Sequence, residues 1–355
     1  MAGNGRLAPV VGALAPGRRN AITDVAGVTV GQHTLAQGDL QTGVSVIRPH
    51  PGDPYRDRVP AAAFVLNGFG KSVGLMQLGE LGVIETPIAL TNTYAVAAMA
   101  SAQIRQCIAA NPAAGRGGPT VNPLVFECND GYLNDLQRMA LGEPHYLRAF
   151  ESAGAQVEQG AVGAGRGMSC FGLKGGVGTA SRVAAVPRAG ARTVGAFALC
   201  NYGKLEQLIV AGDALGARLA RHMRGEAIGE PEKGSVIIVL ATDAELDARQ
   251  LRRLALRAGA GLARTGSVFG HGSGDVVLAF STAYTVPQDA AHPMPSMAML
   301  HDALLDPLFQ AAADSTEQAI IHALWSARSV TGRDGHARTG LTDLPANWFD
   351  DAGAS

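Results

Sequence analysis

What this chain lacks first is a surplus of charge of either sign. Its 29 lysines and arginines are balanced by 30 aspartates and glutamates, leaving a formal net charge of −1. With pI about 6.8, there is no electrostatic footprint for nucleic acid or an anionic membrane surface. Charged residues of all kinds make up only 17% of the 355 positions, which suits a protein that gives surface to subunit contacts. Cysteine is equally sparse. Cys107, Cys128, Cys170 and Cys200 are scattered without CxxC or zinc-ligand spacing, so reduced thiols in a cytoplasmic setting are expected. The opening MAGNGRLAPVVGALAPGRRN has no basic-then-apolar order, so a secretory signal is not expected. Nor is there an uncharged apolar run of about eighteen residues, the length a bilayer span needs.

Several familiar site motifs are missing too. Gly70-Lys71-Ser72 looks like the end of a phosphate loop, but the glycine required five positions earlier is Val65. Gly163, Gly165 and Gly167 give GxGxG instead of GxGxxG, and packing is the simpler reading for them. GxSxG is absent around Ser169 and Ser273, which argues against an α/β-hydrolase elbow. No HExxH occurs among the nine histidines, and His271 lies in a glycine loop. No metal or other cofactor is expected.

What is present is glycine, 46 of them, punctuating short apolar runs. Strands are predicted near 28–30, 44–48, 62–67, 88–90, 194–200, 236–241 and 276–281. Helices are predicted over 94–110, 213–223 and 245–263, with a last helical region over 297–325 broken near Pro307. In 245–263, Leu251, Leu254, Ala255, Ala258 and Leu262 follow one helical stripe, and Asp243 is the expected N-cap. The runs FVLN, FALC, VIIVL and VVLAF are nearly continuous apolar runs instead of alternating ones, so their strands are expected to be covered on both faces. Sheet on sheet with helices outside satisfies that, and so does a parallel sheet between helices.

One junction invites chemistry. Gly234-Ser235 joins a charged, proline-bearing segment to VIIVL. Ordinarily a small polar residue there only opens a buried strand. If the bond were cut, however, Ser235 would carry a hydroxyl and an α-amine on one residue. That amine titrates near 7.7–8.0 and could serve as base for the hydroxyl. Glycine at 234 would allow a strained conformation that exposes its carbonyl to attack. Ser273 and Asp275, at i and i+2 on the lip of a strand, can point to one side, although a capped turn has the same pattern. Asn201 ends the strand FALCN and could donate to an oxyanion, or be an ordinary turn residue.

Nine segments extend the picture. In order they are NAITDVAGVTVG (20–31), TGVSVI (42–47), LNGFG (66–70), TNT (91–93), ECNDGYLND (127–135), GAGRGMSCFGLKGGVGTASR (163–182), CNYG (200–203), GSVIIVLATDAEL (234–246) and HGSGDVVLAFST (271–282). Together they resemble the self-processing L-aminopeptidase/D-esterase and β-peptidyl aminopeptidase family.

The resemblance implies an αββα sandwich, similar to N-terminal nucleophile hydrolases but connected differently. It implies one domain over 1–355, cleaved into 1–234 and 235–355. Ser235 matches the nucleophile, Ser273 the second catalytic serine and Asp275 the triad carboxylate, which is glutamate in some relatives. Asn201 matches the oxyanion asparagine, Tyr132 lines the site, and Glu127 holds the substrate's protonated amino group. Lys71 stands where an acidic residue is expected, implying a substrate preference of its own. The implied activity is removal of N-terminal residues from small peptides, amides or esters by a metal-free homo-oligomer, often a tetramer. Two other readings share the architecture. One is an acyltransferase of the ornithine acetyltransferase type, which uses threonine where Ser235 stands; the other is a non-catalytic scaffold.

Overall fold

The computed structural model describes residues 7–223 and 234–350. Its main strands are β1 (Thr29–Gln37), β2 (Leu40–Arg48), β3 (Asp57–Gly68), β4 (Ile88–Asn92), β5 (Leu124–Cys128) and β6 (Gly176–Val186). They continue with β7 (Gly190–Asn201), β8 (Ser235–Thr242), β9 (Gly274–Ser281), β10 (Val286–Pro287), β11 (Val330–Thr331) and β12 (Ala337–Arg338). The main helices are α1 (Leu75–Leu81), α2 (Val96–Ala110), α3 (Glu143–Glu151), α4 (Leu215–His222), α5 (Ala248–Arg264) and α6 (Asp306–Ser326). The smaller sheet runs β1-β2-β4-β5 and the larger β10-β3-β9-β8-β7-β6, while β11 and β12 form a separate hairpin.

The layering is legible along β8. Ile237, Val239 and Ala241 pack against Ile47, Ile88, Leu124 and Phe126 of the smaller sheet. Val236, Ile238 and Leu240 turn the other way, toward Leu251 and Leu254 of α5 and Leu308 and Ile320 of α6. On the far side of the smaller sheet, Val44, Val46 and Val125 meet Met99, Ala102, Tyr146 and Ala149 of α2 and α3. The chain is therefore a four-layer αββα sandwich. Both faces of β8 are dry, which is why VIIVL is an unbroken apolar run. At roughly 1.5–3 kcal/mol for each fully buried side chain of this size, the strand is a main source of cohesion.

Connectivity then places the site. β8 and β9 are parallel, and a parallel pair needs a crossover, here supplied by α5. Both strands therefore begin at the same edge of the sheet. The flanking strands β7 and β3 are antiparallel to them, so their last residues reach that edge too. Two strand beginnings and two strand ends converge there.

Some expected elements differ. Asp247, not Asp243, caps α5: it accepts from Gln250 N at 2.7 Å, and Gln250 Oε1 accepts from Asp247 N at 3.2 Å. Asp243 is engaged elsewhere, accepting from Thr193 N at 2.7 Å. Pro307 does not break a helix running from 297. It sits in the first turn of α6, where a missing N–H is harmless, and only a single 3-10 turn, Asp302–Leu304, precedes it. The helix expected from 94 starts as a 3-10 turn and becomes α-helical at Val96. All four cysteines are buried free thiols. The punctuated stretch 224–234 lies outside the described residues except for Gly234. Among the described residues no helix is long and apolar enough to cross a membrane.

Candidate active site

Four residues stand in one row across the converging strands. Asn201 pairs with Ser235, Ser235 with Gly274, and Gly274 with Gly68. Ser273 precedes that row by one residue and Asp275 follows it, so Asn201, Ser235, Ser273 and Asp275 are gathered at one edge. All four are buried, Ser235 to 4% exposure and Ser273 and Asp275 to 1%.

With the chain continuous at 234–235, the Ser235 hydroxyl sits against the carbonyl of its own peptide bond. Oγ donates to Gly234 O at 2.6 Å. The backbone N–H of Gly274 faces both oxygens, at 3.3 Å from Gly234 O and 3.3 Å from Ser235 Oγ. A main-chain donor thus lies where negative charge would develop if the hydroxyl attacked that carbonyl. Gly234 is not among the glycines with positive φ. Its requirement is room: a Cβ there would lie 3.0 Å from Tyr202 Cα and 3.1 Å from Asn201 O.

Ser273 Oγ donates to Asp275 Oδ1 at 2.5 Å. Aspartate therefore reaches its partner without the extra carbon of glutamate. Because the serine's proton points at the carboxylate, its lone pairs remain to accept one from elsewhere. Asn67, opposite Asp275 on β3, pins this loop. Its amide donates to the carbonyls of Gly270 at 3.1 Å, His271 at 3.2 Å and Ser273.

On the opposite flank, the Asn201 amide is fixed at both ends. Its Oδ1 accepts from Ser169 N at 2.8 Å and its Nδ2 donates to Asn129 O at 2.9 Å. One amide hydrogen remains for a ligand beside Ser235. Tyr132 joins this flank through Arg338, whose guanidinium carbon is 3.5 Å from the ring centroid and whose Nε donates to Ser169 Oγ at 3.2 Å.

Glu127, on β5, is 2% exposed. Lys71 N donates to its Oε1 at 2.8 Å, and Thr93 Oγ1 donates to its Oε2. A Cβ added to Gly70 would lie 3.7 Å from both Glu127 Oε1 and Gly274 Cα, so this carboxylate and the start of β9 flank the same glycine. The Lys71 ammonium lies over the Phe69 ring, 4.5 Å from its centroid.

Burial sets the electrostatics nearby. The Cys128 thiol is held well above its usual range by burial, with Glu127 and Asp275 adding to the effect, so it stays neutral and does not compete as a nucleophile. Burial pushes the Asp130 carboxyl up to about 7 against hydrogen bonds from Thr42 and Asn134. Lys174, fully buried, is pulled well below the ordinary lysine range. Its ammonium nitrogen meets the carbonyls of Gly165, Met168 and Gly175 at 3.0, 2.6 and 2.7 Å, clamping the loop that carries Ser169.

Sequence reasoning missed the Gly274 N–H, the Ser169 N–H, Asn67 and Arg338. The two amides act through the main chain, which leaves no side-chain signature. Asn67 lies within LNGFG, where its type was visible but not its partner.

The profile of peptidase family S58 matches residues 20–338. The chain is similar to the beta-peptidyl aminopeptidase BapA of Sphingosinicella microcystinivorans, at 37% identity over 342 residues, covering 90% of this chain and 85% of that one. Among solved structures it is similar to the PH0078 protein of Pyrococcus horikoshii OT3, with TM-score 0.88, 44% identity and 93% of each chain covered. It is also similar to the L-aminopeptidase D-Ala-esterase/amidase of Ochrobactrum anthropi, described as a variant of the Ntn hydrolase fold. There the TM-score is 0.85 and the identity 32%, over 94% of this chain and 93% of that one. This chain belongs to peptidase family S58.

Proposed function

We propose that the protein is a serine aminopeptidase that first cuts its own chain between Gly234 and Ser235. The observation that carries this reading is the Ser235 hydroxyl lying 2.6 Å from the Gly234 carbonyl oxygen. In the self-cleavage step Oγ bonds to the Gly234 carbonyl carbon, the C–N bond breaks with its electron pair going to the Ser235 nitrogen, and the proton lost by Oγ passes to that nitrogen to give the free amine. Water then hydrolyses the resulting ester, leaving a carboxylate on Gly234 and a free Ser235 hydroxyl.

In the processed enzyme, 1–234 and 235–355 remain together as one folded unit. The Ser235 amine takes the hydroxyl proton, with Ser273 and Asp275 polarising the pair. The oxygen attacks the carbonyl that follows the substrate's first residue. Asn201 stabilises the oxyanion, Tyr132 borders the leaving side, and Glu127 pairs with the free amino group. Water releases the acyl group from Ser235. Substrates are small peptides, amides or esters with a free amino terminus. The enzyme works as a homo-oligomer, a tetramer of cleaved units, in the cytoplasm. Met76, Leu81, Tyr94 and Ile108 are large apolar side chains left exposed on the single chain, which supports burial against further copies.

A panel of aminoacyl-p-nitroanilides and their N-acetylated forms tests the reading. Free-amine substrates should be hydrolysed, and acetylation should lower kcat/KM by about tenfold or more, as loss of a charged contact does. Glu127→Gln should erase most of that difference. Equal rates on acetylated and free substrates would remove Glu127 from this role.

A further inference from the structure

The Asn201 flank carries a cation that the mechanism above leaves idle. The β11–β12 hairpin lays two side chains on Tyr132. The His336 ring stacks on it, with centroids 4.7 Å apart and planes 12° from parallel, and the Arg338 guanidinium carbon lies 3.5 Å from the tyrosine centroid. Arg338 Nε donates to Ser169 Oγ at 3.2 Å, and Ser169 N donates to Asn201 Oδ1 at 2.8 Å. Asn201 is the strand partner of Ser235. The cation is thus tied to the oxyanion side of the nucleophile through a single residue.

Its surroundings are unusual for an arginine. It is half-buried, and burial draws its pKa down. Among the described residues it forms no ion pair: its partners are the Ser169 hydroxyl and the Tyr132 ring. A guanidinium held out of water without an anion is costly, and its fork of donors fits a carboxylate. Stacking on the tyrosine fixes the plane of that fork before any ligand arrives.

The other flank has the opposite charge. Glu127 borders Gly70 and the start of β9, while Arg338 lies beyond β7. A short peptide crossing the first residue of β8 would meet a carboxylate at one end and a guanidinium at the other.

We infer that Arg338 binds the C-terminal carboxylate of dipeptide substrates, so that the enzyme selects short peptides with both termini free. The inference rests on the aminopeptidase reading, in which the leaving group is an amino acid departing on the Asn201 side. Arg338 touches the departing residue and takes no part in proton transfer.

Three substrates sharing one N-terminal residue test it: a dipeptide acid, its C-terminal carboxamide, and the aminoacyl-p-nitroanilide. Processed wild-type enzyme should favour the acid over the carboxamide by about tenfold or more in kcat/KM, in keeping with a charge-assisted contact. Arg338→Gln should bring that ratio to within about threefold of one, chiefly by raising KM for the acid. Arg338→Lys should retain part of the preference. Wild-type enzyme that hydrolyses the nitroanilide but treats acid and carboxamide alike overturns this inference alone. So does an Arg338→Gln variant that slows all three substrates in equal proportion. A processed enzyme that hydrolyses none of the three overturns the aminopeptidase reading as well.

Discussion

Ser273 donates a 2.5 Å hydrogen bond to Asp275, two residues further along the chain, and both side chains are shut away from solvent. The pair sits on either side of Gly274, which is the strand partner of Ser235. Removing the hydroxyl takes the Ser273 donor from a buried carboxylate and deprives the nucleophile of its polarising neighbour. Ser273→Ala is therefore expected to lower kcat on an aminoacyl-p-nitroanilide by about 10²-fold or more, the usual range for a positioned proton-transfer group. A variant that is processed normally and retains more than a third of wild-type kcat would place Ser273 outside the chemistry.

Asn201 is held between Ser169 N and Asn129 O, so its remaining hydrogen has a set direction. Asn201→Ala should cost about 10²–10³ in kcat with little change in KM, as loss of one oxyanion donor does elsewhere. Steady-state kinetics on the cleaved fraction separate the two parameters. A rise in KM at constant kcat would instead mark Asn201 as a ground-state binding residue.

A third expectation concerns pH and stability. Burial pushes the Asp130 carboxyl up to about 7 from the ordinary 3.8 of an aspartate. Between those values the folded protein keeps a proton that the unfolded chain gives up, so stability from this group falls as pH rises through that window. Asp130→Asn removes the titration. The variant should gain at least ~1 kcal/mol on wild type between pH 4 and pH 8, measured by urea unfolding at the two values. An unchanged difference between variant and wild type would show that the carboxyl titrates normally.

The sequence made the sheets' interior plain and their thinner parts obscure. FALC, VIIVL and VVLAF were readable as strands because both faces are dry. β6 was not, since GVGTASRVAAV is built from small residues and includes Arg182. The reason lies in packing: a Cβ on Gly178 would come within 1.9 Å of Ala319 O, so α6 can approach only if that strand is bare. α3 was hidden behind a proline in its first turn and several charges, although Pro144 is well placed there. At the site, Ser235, Ser273, Asp275 and Asn201 are legible by residue type, while Glu127 is reached only through the family resemblance. How the strand ends bring them together is not legible, because the convergence depends on the β8–α5–β9 crossover and on pairings between distant segments.

The account stands or falls on the covalent state of the chain. Mass spectrometry of the purified, active protein should find two fragments, 1–234 and 235–355, and Edman sequencing of the smaller should read Ser-Val-Ile-Ile-Val. Ser235→Ala should give one uncut, inactive chain. Full activity in a protein intact between Gly234 and Ser235 would contradict the proposed mechanism at its root, since no α-amine would then exist beside the attacking hydroxyl.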